Sequence, residues 1–150
     1  MAFVLDHFLP YRLSVAAARV SRRFARLYAA ETGISIAEWR VLAHLAHAEQ
    51  VSVRDIYARV DMDKSKVSRA AARLEEAGLV RKVGHAEDRR LVELSLTPAG
   101  ETLMVELGEI ALRFQDTLIA ELGPDASVVD AALGRLIKSN SGENHDDHAP

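Results

Sequence analysis

A chain of 150 residues, 49% hydrophobic but only 5% aromatic, has the material for one domain or one subunit of a compact dimer, and favours helices packed on helices over a β-sandwich. Cysteine is absent, which excludes disulfides, thiolate zinc sites and a peroxide-sensing thiol; the start carries neither a basic leader nor a long apolar run, so the expectation is a cytoplasmic protein without a membrane span. The net charge of −3 is unevenly spread: residues 54–90 hold ten Lys/Arg and seven Asp/Glu, a local +3, while the rest of the chain sums to −6. A basic centre between acidic flanks suits a local phosphate-binding surface.

Pro10 fits the first turn of a helix, where its missing N–H costs nothing. Leu13, Ala17, Val20, Phe24 and Leu27 recur at three- and four-residue spacing, and Gly33 follows as a stop, which predicts a long helix over Pro10–Glu31. Ser35 and Glu38 form a capping box for a second helix with Trp39, Leu42 and Leu45 on its apolar side. Ser52 and Asp55 repeat the signal for a short third helix that turns Val53, Ile56 and Val60 inward. Asp61 and Asp63 flank a turn, and Asp63 caps a fourth helix that runs to about Ala77 and stops at Gly78. Two short helices joined by a tight turn are a helix-turn-helix. After Gly78 the period changes to two: Leu79–Val83 and Leu91–Leu96 read as strands, with the charged loop Gly84–Arg90 between them as a wing. Thr97-Pro98 caps and opens a long helix to Leu122 with Leu103, Leu107, Ile110 and Phe114 on one side. Gly123-Pro124 breaks it, and a last helix over Asp125–Lys138 carries Val128, Val129, Ala132, Leu133 and Leu136. The polar tail reads as disordered. The fold class is thus mainly α with a small β-hairpin wing, a winged helix-turn-helix joined to long dimerisation helices. Its expected divisions are an N-terminal dimerisation arm and helix (1–34), a DNA-binding lobe (35–97), C-terminal dimerisation helices (98–139) and the tail (140–150).

On the fourth helix Val67, Ala70, Ala71 and Leu74 share one side, and Ser65, Ser68, Arg69, Ala72, Arg73 and Glu76 share the other. The polar side suits the major groove, where Arg binds guanine O6 and N7 with two hydrogen bonds and small Ser and Ala residues let the helix axis approach. Lys64 and Lys66, in the first turn, suit phosphates. In the wing, Asp88, Arg89 and Arg90 suit a narrow minor groove, whose negative potential attracts Arg.

The order of elements and the segments Asp63–Arg69, Arg73–Val80, Glu87–Arg90 and Leu94–Gly100 resemble the MarR family of winged-helix regulators, over about Asp6 to Lys138. The resemblance implies a homodimer built by the first, fifth and sixth helices, a fourth helix in the major groove and a wing in the minor groove, with the Asp-x-Arg of the wing mapping onto Asp88 and Arg90. It also implies repression of nearby genes and release by a small phenolic or carboxylate effector bound between the dimer helices and the DNA-binding lobe. The redox-sensing branch of the family needs a cysteine near the chain start, which this sequence lacks.

His7, Tyr11 and Arg40 are effector-pocket candidates, Arg40 because a guanidinium binds a carboxylate with two charge-assisted hydrogen bonds. Tyr11 also reads as an interface residue, and Arg40 as a surface charge or phosphate contact. His44 and His47 on the second helix, and His145 and His148 in the tail, have spacings that permit a metal, although surface histidine is the ordinary reading and no metal ligands are assigned. No HExxH, GxSxG, phosphate-cradling glycine loop or cysteine nucleophile is present, so neither an enzyme nor a cofactor is expected. The alternatives are a winged-helix protein-interaction module and a metal-sensing regulator. The expected partners are double-stranded DNA, a second copy of the chain and a small-molecule effector.

Overall fold

The structure, a computed structural model, describes residues 2–47, 51–59, 62–84 and 92–140. Val60, Asp61, Leu91, the wing tip with Asp88, Arg89 and Arg90, and the tail 141–150 lie outside the described residues. The elements are α1 (Leu9–Thr32), α2 (Ile36–His47), β1 (Val51–Ser52), α3 (Val53–Arg59), α4 (Lys64–Glu76), β2 (Val80–Gly84), β3 (Val92–Leu96), α5 (Pro98–Leu122) and α6 (Ala126–Asn140). Single 3₁₀ turns precede α1 and α6. The chain forms two compact units, Met1–Ala111 and Leu112–Pro150. Among the described residues no helix is long and apolar enough to cross a membrane.

α1 opens with Pro10 in its first turn and ends at Gly33, whose positive φ of 70° lets its N–H bond back to the Ala29 carbonyl. The expected apolar stripe of α1 is only partly covered: Leu13 and Leu27 are exposed. The fully buried residue of this helix is Tyr28, because α1 meets the core of its own unit through its last turns. There Phe24 stands edge-on to Tyr28 and Trp39, with ring centroids 4.8 and 5.0 Å apart.

The small sheet has three strands in the order β1-β3-β2, all antiparallel. The sequence reading missed β1, a two-residue strand that pairs Val51 with Leu94 and Ser52 with Glu93. β2 pairs Val80 with Leu96 and Gly84 with Val92, the hairpin that carries the wing. Central β3 thereby buries Leu94 completely. The core joins Tyr28 and Ile34 to Val41, Leu42 and Leu45 of α2, Ile56 of α3, the apolar side of α4, Val80, Leu94, and Leu107 and Ile110 of α5.

One backbone junction ties α4, the hairpin and α5 together. α4 ends in a paired cap: the Gly78 N–H bonds the Glu75 carbonyl at 3.0 Å, and the Leu79 N–H bonds that of Leu74 at 2.9 Å. The φ of 75° at Gly78 makes this turn possible. The Thr97 hydroxyl donates to the Gly78 carbonyl at 2.6 Å and accepts the Gly100 N–H at 3.1 Å. The Thr97 N–H adds a bond to the Leu79 carbonyl at 3.1 Å. Gly100 lies so close to Leu79 that a β-carbon there would run into the Leu79 carbonyl oxygen. Gly100→Ala should therefore lower the thermal midpoint by several degrees, since overpacking costs about 1–3 kcal/mol and each kcal/mol shifts a domain of this size by roughly 2–4 °C. Gly108→Ala on α5, where a β-carbon meets nothing within 4 Å, should raise it slightly through helix propensity; thermal unfolding of the two variants checks both directions.

Candidate nucleic-acid interface

α4 is held by its apolar side and presents its polar side. Val67, Ala70, Ala71 and Leu74 are buried to within 1% of complete, while Lys64, Ser65, Lys66, Ser68, Arg69, Ala72 and Arg73 are exposed. The two adjacent alanines leave room for α2 to approach closely, and α2 and α3 are the helices packed against α4. Asp63 caps the start, its Oδ1 accepting the Lys66 N–H at 2.9 Å. This cap occupies one of the amides at the start of the helix.

The cations of α4 divide into two groups. Lys64, Lys66 and Arg69, in the first half, form no ion pair among the described residues. Arg73 does: its Nε lies 3.3 Å from Oε1 of Glu38 on α2. One turn end further on, Glu75 sits 4.0 Å from Lys82 of β2, a surface contact of little energetic weight. Sequence reasoning assigned Glu38 to a capping box. Half of that device is present, the Ser35 hydroxyl accepting the Glu38 N–H at 3.2 Å, while the Glu38 carboxylate reaches across to Arg73. No local spacing signals this pair, because its members are 35 residues apart in sequence.

Tyr11 and Arg40 line separate depressions among the described residues. Tyr11 lines a depression of about 540 Å³ on α1 with Arg12, Arg19 and Arg23. Arg40 lines another of about 350 Å³ with Trp39, Ala43, His44 and His47. His7 is exposed in the 3₁₀ turn before α1. A third depression, of about 850 Å³, escaped the sequence reading: the end of α2, the root of the hairpin and the start of α5 surround it with Leu45, Leu96, Met104, Arg81, Ser95 and Glu101. Among the described residues no three His, Asp or Glu side chains cluster as metal ligands would, and His145 and His148 lie outside those residues.

Two buried polar atoms lack a hydrogen-bond partner among the described residues, the Tyr28 hydroxyl and His44 Nε2. Burial pushes the Tyr28 pKa up, opposed by Arg40 and assisted by Glu38. Burial likewise pushes the His44 pKa below its usual 6.5; Arg59 and His47 add to the drop and Asp55 opposes it.

A recognition-type helix exposed on a helix-turn-helix, with a hairpin directly behind it, defines a winged helix-turn-helix protein. Residues 32–91 match the model of the MarR family, and the chain is similar to MarR-family transcriptional regulators. It is 28% identical over 116 residues to the HTH-type transcriptional repressor MdtR of Bacillus subtilis (strain 168), covering 75% of each chain. Its fold is that of a MarR/EmrR family transcriptional regulator from Acinetobacter sp. ADP1, with a TM-score of 0.81, 24% identity and coverage of 94% of this chain and 99% of the other. BpsR of Bordetella bronchiseptica, whose DNA binding is regulated by 6-hydroxynicotinic acid, shares the fold at a TM-score of 0.78 and 22% identity, over 92% of this chain and 98% of BpsR.

The lowered His44 pKa has a defined sign. Below pH 6.5 the unfolded chain binds more protons at this site than the folded one, so folding stability falls as pH drops through 6.5. The urea midpoint should decline between pH 7.5 and 5.5, and His44→Gln should make that decline shallower. Identical slopes for the two proteins would remove His44 from the effect.

Proposed function

We propose that the chain works as a homodimeric repressor that binds a pseudo-palindromic DNA site and leaves it when a small effector binds. The observation that carries the DNA reading is the first half of α4, where Lys64, Ser65, Lys66, Ser68 and Arg69 stand exposed on a helix whose other side is buried. In this reading Arg69 contacts base edges and Lys64 and Lys66 contact phosphates, with Ser65 and Ser68 making shorter polar contacts. Asp88, Arg89 and Arg90, which lie outside the described residues, are the minor-groove contacts of this reading.

Support for the homodimer comes from apolar residues left uncovered in one chain: Leu13 and Leu27 on α1, Leu112 and Ile119 on α5, and Val128 and Leu133 on α6. A two-fold dimer sets its recognition helices about 34 Å apart, one turn of DNA. Support for an effector comes from the 850 Å³ depression, which is within the size of small-molecule sites and lies against both the hairpin root and α5. Arg81 supplies its cation, suited to a carboxylate. His7, Tyr11 and Arg40 remain a second effector site, one that requires a dimer to bring residues of separate depressions together.

Sheared genomic DNA incubated with the protein near physiological salt, recovered and sequenced, tests the DNA reading; enrichment of fragments sharing a two-fold motif is the expected result, and no enrichment with or without cell extract would end it. On the enriched site, Arg69→Ala should cost about 1–3 kcal/mol and relax preference at one or two positions. Lys64→Ala should weaken all sequences alike and reduce the log–log salt slope by about 0.9 per subunit. Fluorescence anisotropy on matched and scrambled duplexes separates the two kinds of loss. Aromatic carboxylates titrated into the protein–DNA complex should release the duplex; binding without release would argue against effector control.

A further inference from the structure

The Glu38–Arg73 pair joins α2 to the second half of the recognition helix, and its two ends differ in environment. The Glu38 side chain is only 12% exposed, whereas that of Arg73 is 59% exposed. Glu38 is thus the anchored member. Its backbone is tied at the start of α2 by the Ser35 hydroxyl, and its carboxylate sits in the first turn of that helix, where the helix dipole favours negative charge. Arg73 sits in the last turn of α4, where the dipole favours positive charge. Both helix ends therefore support the pairing, and the partly desolvated carboxylate has a strong need for its cation.

Arg73 lies one turn beyond Arg69 on the same exposed side of α4. Without Glu38 it would be a long, exposed cation next to the base-reading residues, free to take the nearest phosphate on any DNA. We infer that Glu38 is a positioning residue for sequence discrimination: by holding Arg73 it keeps that guanidinium off the DNA backbone and confines recognition to Lys64–Arg69. This rests on the DNA reading proposed above. Its consequence runs against the usual effect of a mutation in a binding protein, since removing Glu38 should strengthen binding to the wrong sequences.

The experiment uses the full-length protein, a duplex selected from a randomised pool by the wild type, and a scrambled duplex of equal length and composition. Affinities for both are measured across a salt series for the wild type, Glu38→Gln, Arg73→Gln and the double variant, with thermal unfolding of each. Glu38→Gln should bind the scrambled duplex several-fold more tightly, shrink the ratio of selected to scrambled affinity by about tenfold, and steepen the salt slope by up to about 0.9 per subunit as Arg73 gains a phosphate. Glu38→Asp, which keeps the charge, should stay near the wild-type ratio. In the Arg73→Gln background the Glu38→Gln change should alter neither ratio nor slope. The inference is overturned if Glu38→Gln keeps the wild-type ratio and slope, or if it shifts scrambled binding equally with and without Arg73, the signature of unspecific charge removal. A wild type that selects no sequence from the pool overturns the DNA reading itself, and with it this role; a wild type that selects one while Glu38→Gln behaves identically overturns the role alone.

Discussion

The seat of α4 on α2 is the constraint on which the rest of the molecule depends. Val67, Ala70, Ala71 and Leu74 belong to the same buried cluster as Val41, Leu42 and Leu45. Burying that side leaves the helix one orientation about its own axis, because its hydrophilic residues cannot be taken out of water without partners. Which residues face outward follows directly. A slip of one residue would rotate the helix by about 100° and turn Ser68 or Arg69 toward the core. The same burial that stabilises the lobe therefore aims its polar surface.

The second constraint is backbone geometry at the end of that helix. Gly78, Thr97 and Gly100 meet at one place, so a few hydrogen bonds fix the end of α4, the root of the hairpin and the start of α5 in addition to the core they share. Such a junction holds the hairpin at a set angle to α4. It also ties the first turn of α5 to the end of α4. The 850 Å³ depression opens beside this first turn, lined by Glu101, Met104 and Val105 of α5 and by Arg81 of the hairpin. In the effector reading proposed above, a molecule lodged there would touch both arms of the junction.

Electrostatics then refines what packing aims. α4 carries four cations on its exposed side, yet one of them, Arg73, is engaged by a carboxylate from another helix. A net charge of −3 is compatible with DNA binding because residues 54–90 carry a local +3 while the rest of the chain sums to −6. Local placement of charge, screened over about 10 Å at ordinary salt, matters more here than the total.

Much of this was legible in the sequence. Asp63, Thr97-Pro98, Gly33 and Gly78 mark helix ends through interactions with their immediate neighbours, and those interactions need no tertiary contact. The apolar side of α4 follows from spacing alone, and so does the alternation that places Leu94 inward. Tertiary structure decided the rest. β1 is too short to show a period and exists because β3 offers it an edge at Leu94 and Glu93. Gly100 appeared only as part of a motif until the fold brought the Leu79 carbonyl against it. Leu13 and Leu27 showed the same periodicity as core residues, but periodicity reports that a side is apolar, not what covers it. Glu38 carried a local role that its backbone fulfils, while its carboxylate serves a partner 35 residues away. Capping and amphipathic spacing are short-range and therefore written along the chain; ion pairs between helices, close backbone approaches and shared cavities depend on where distant segments come to rest.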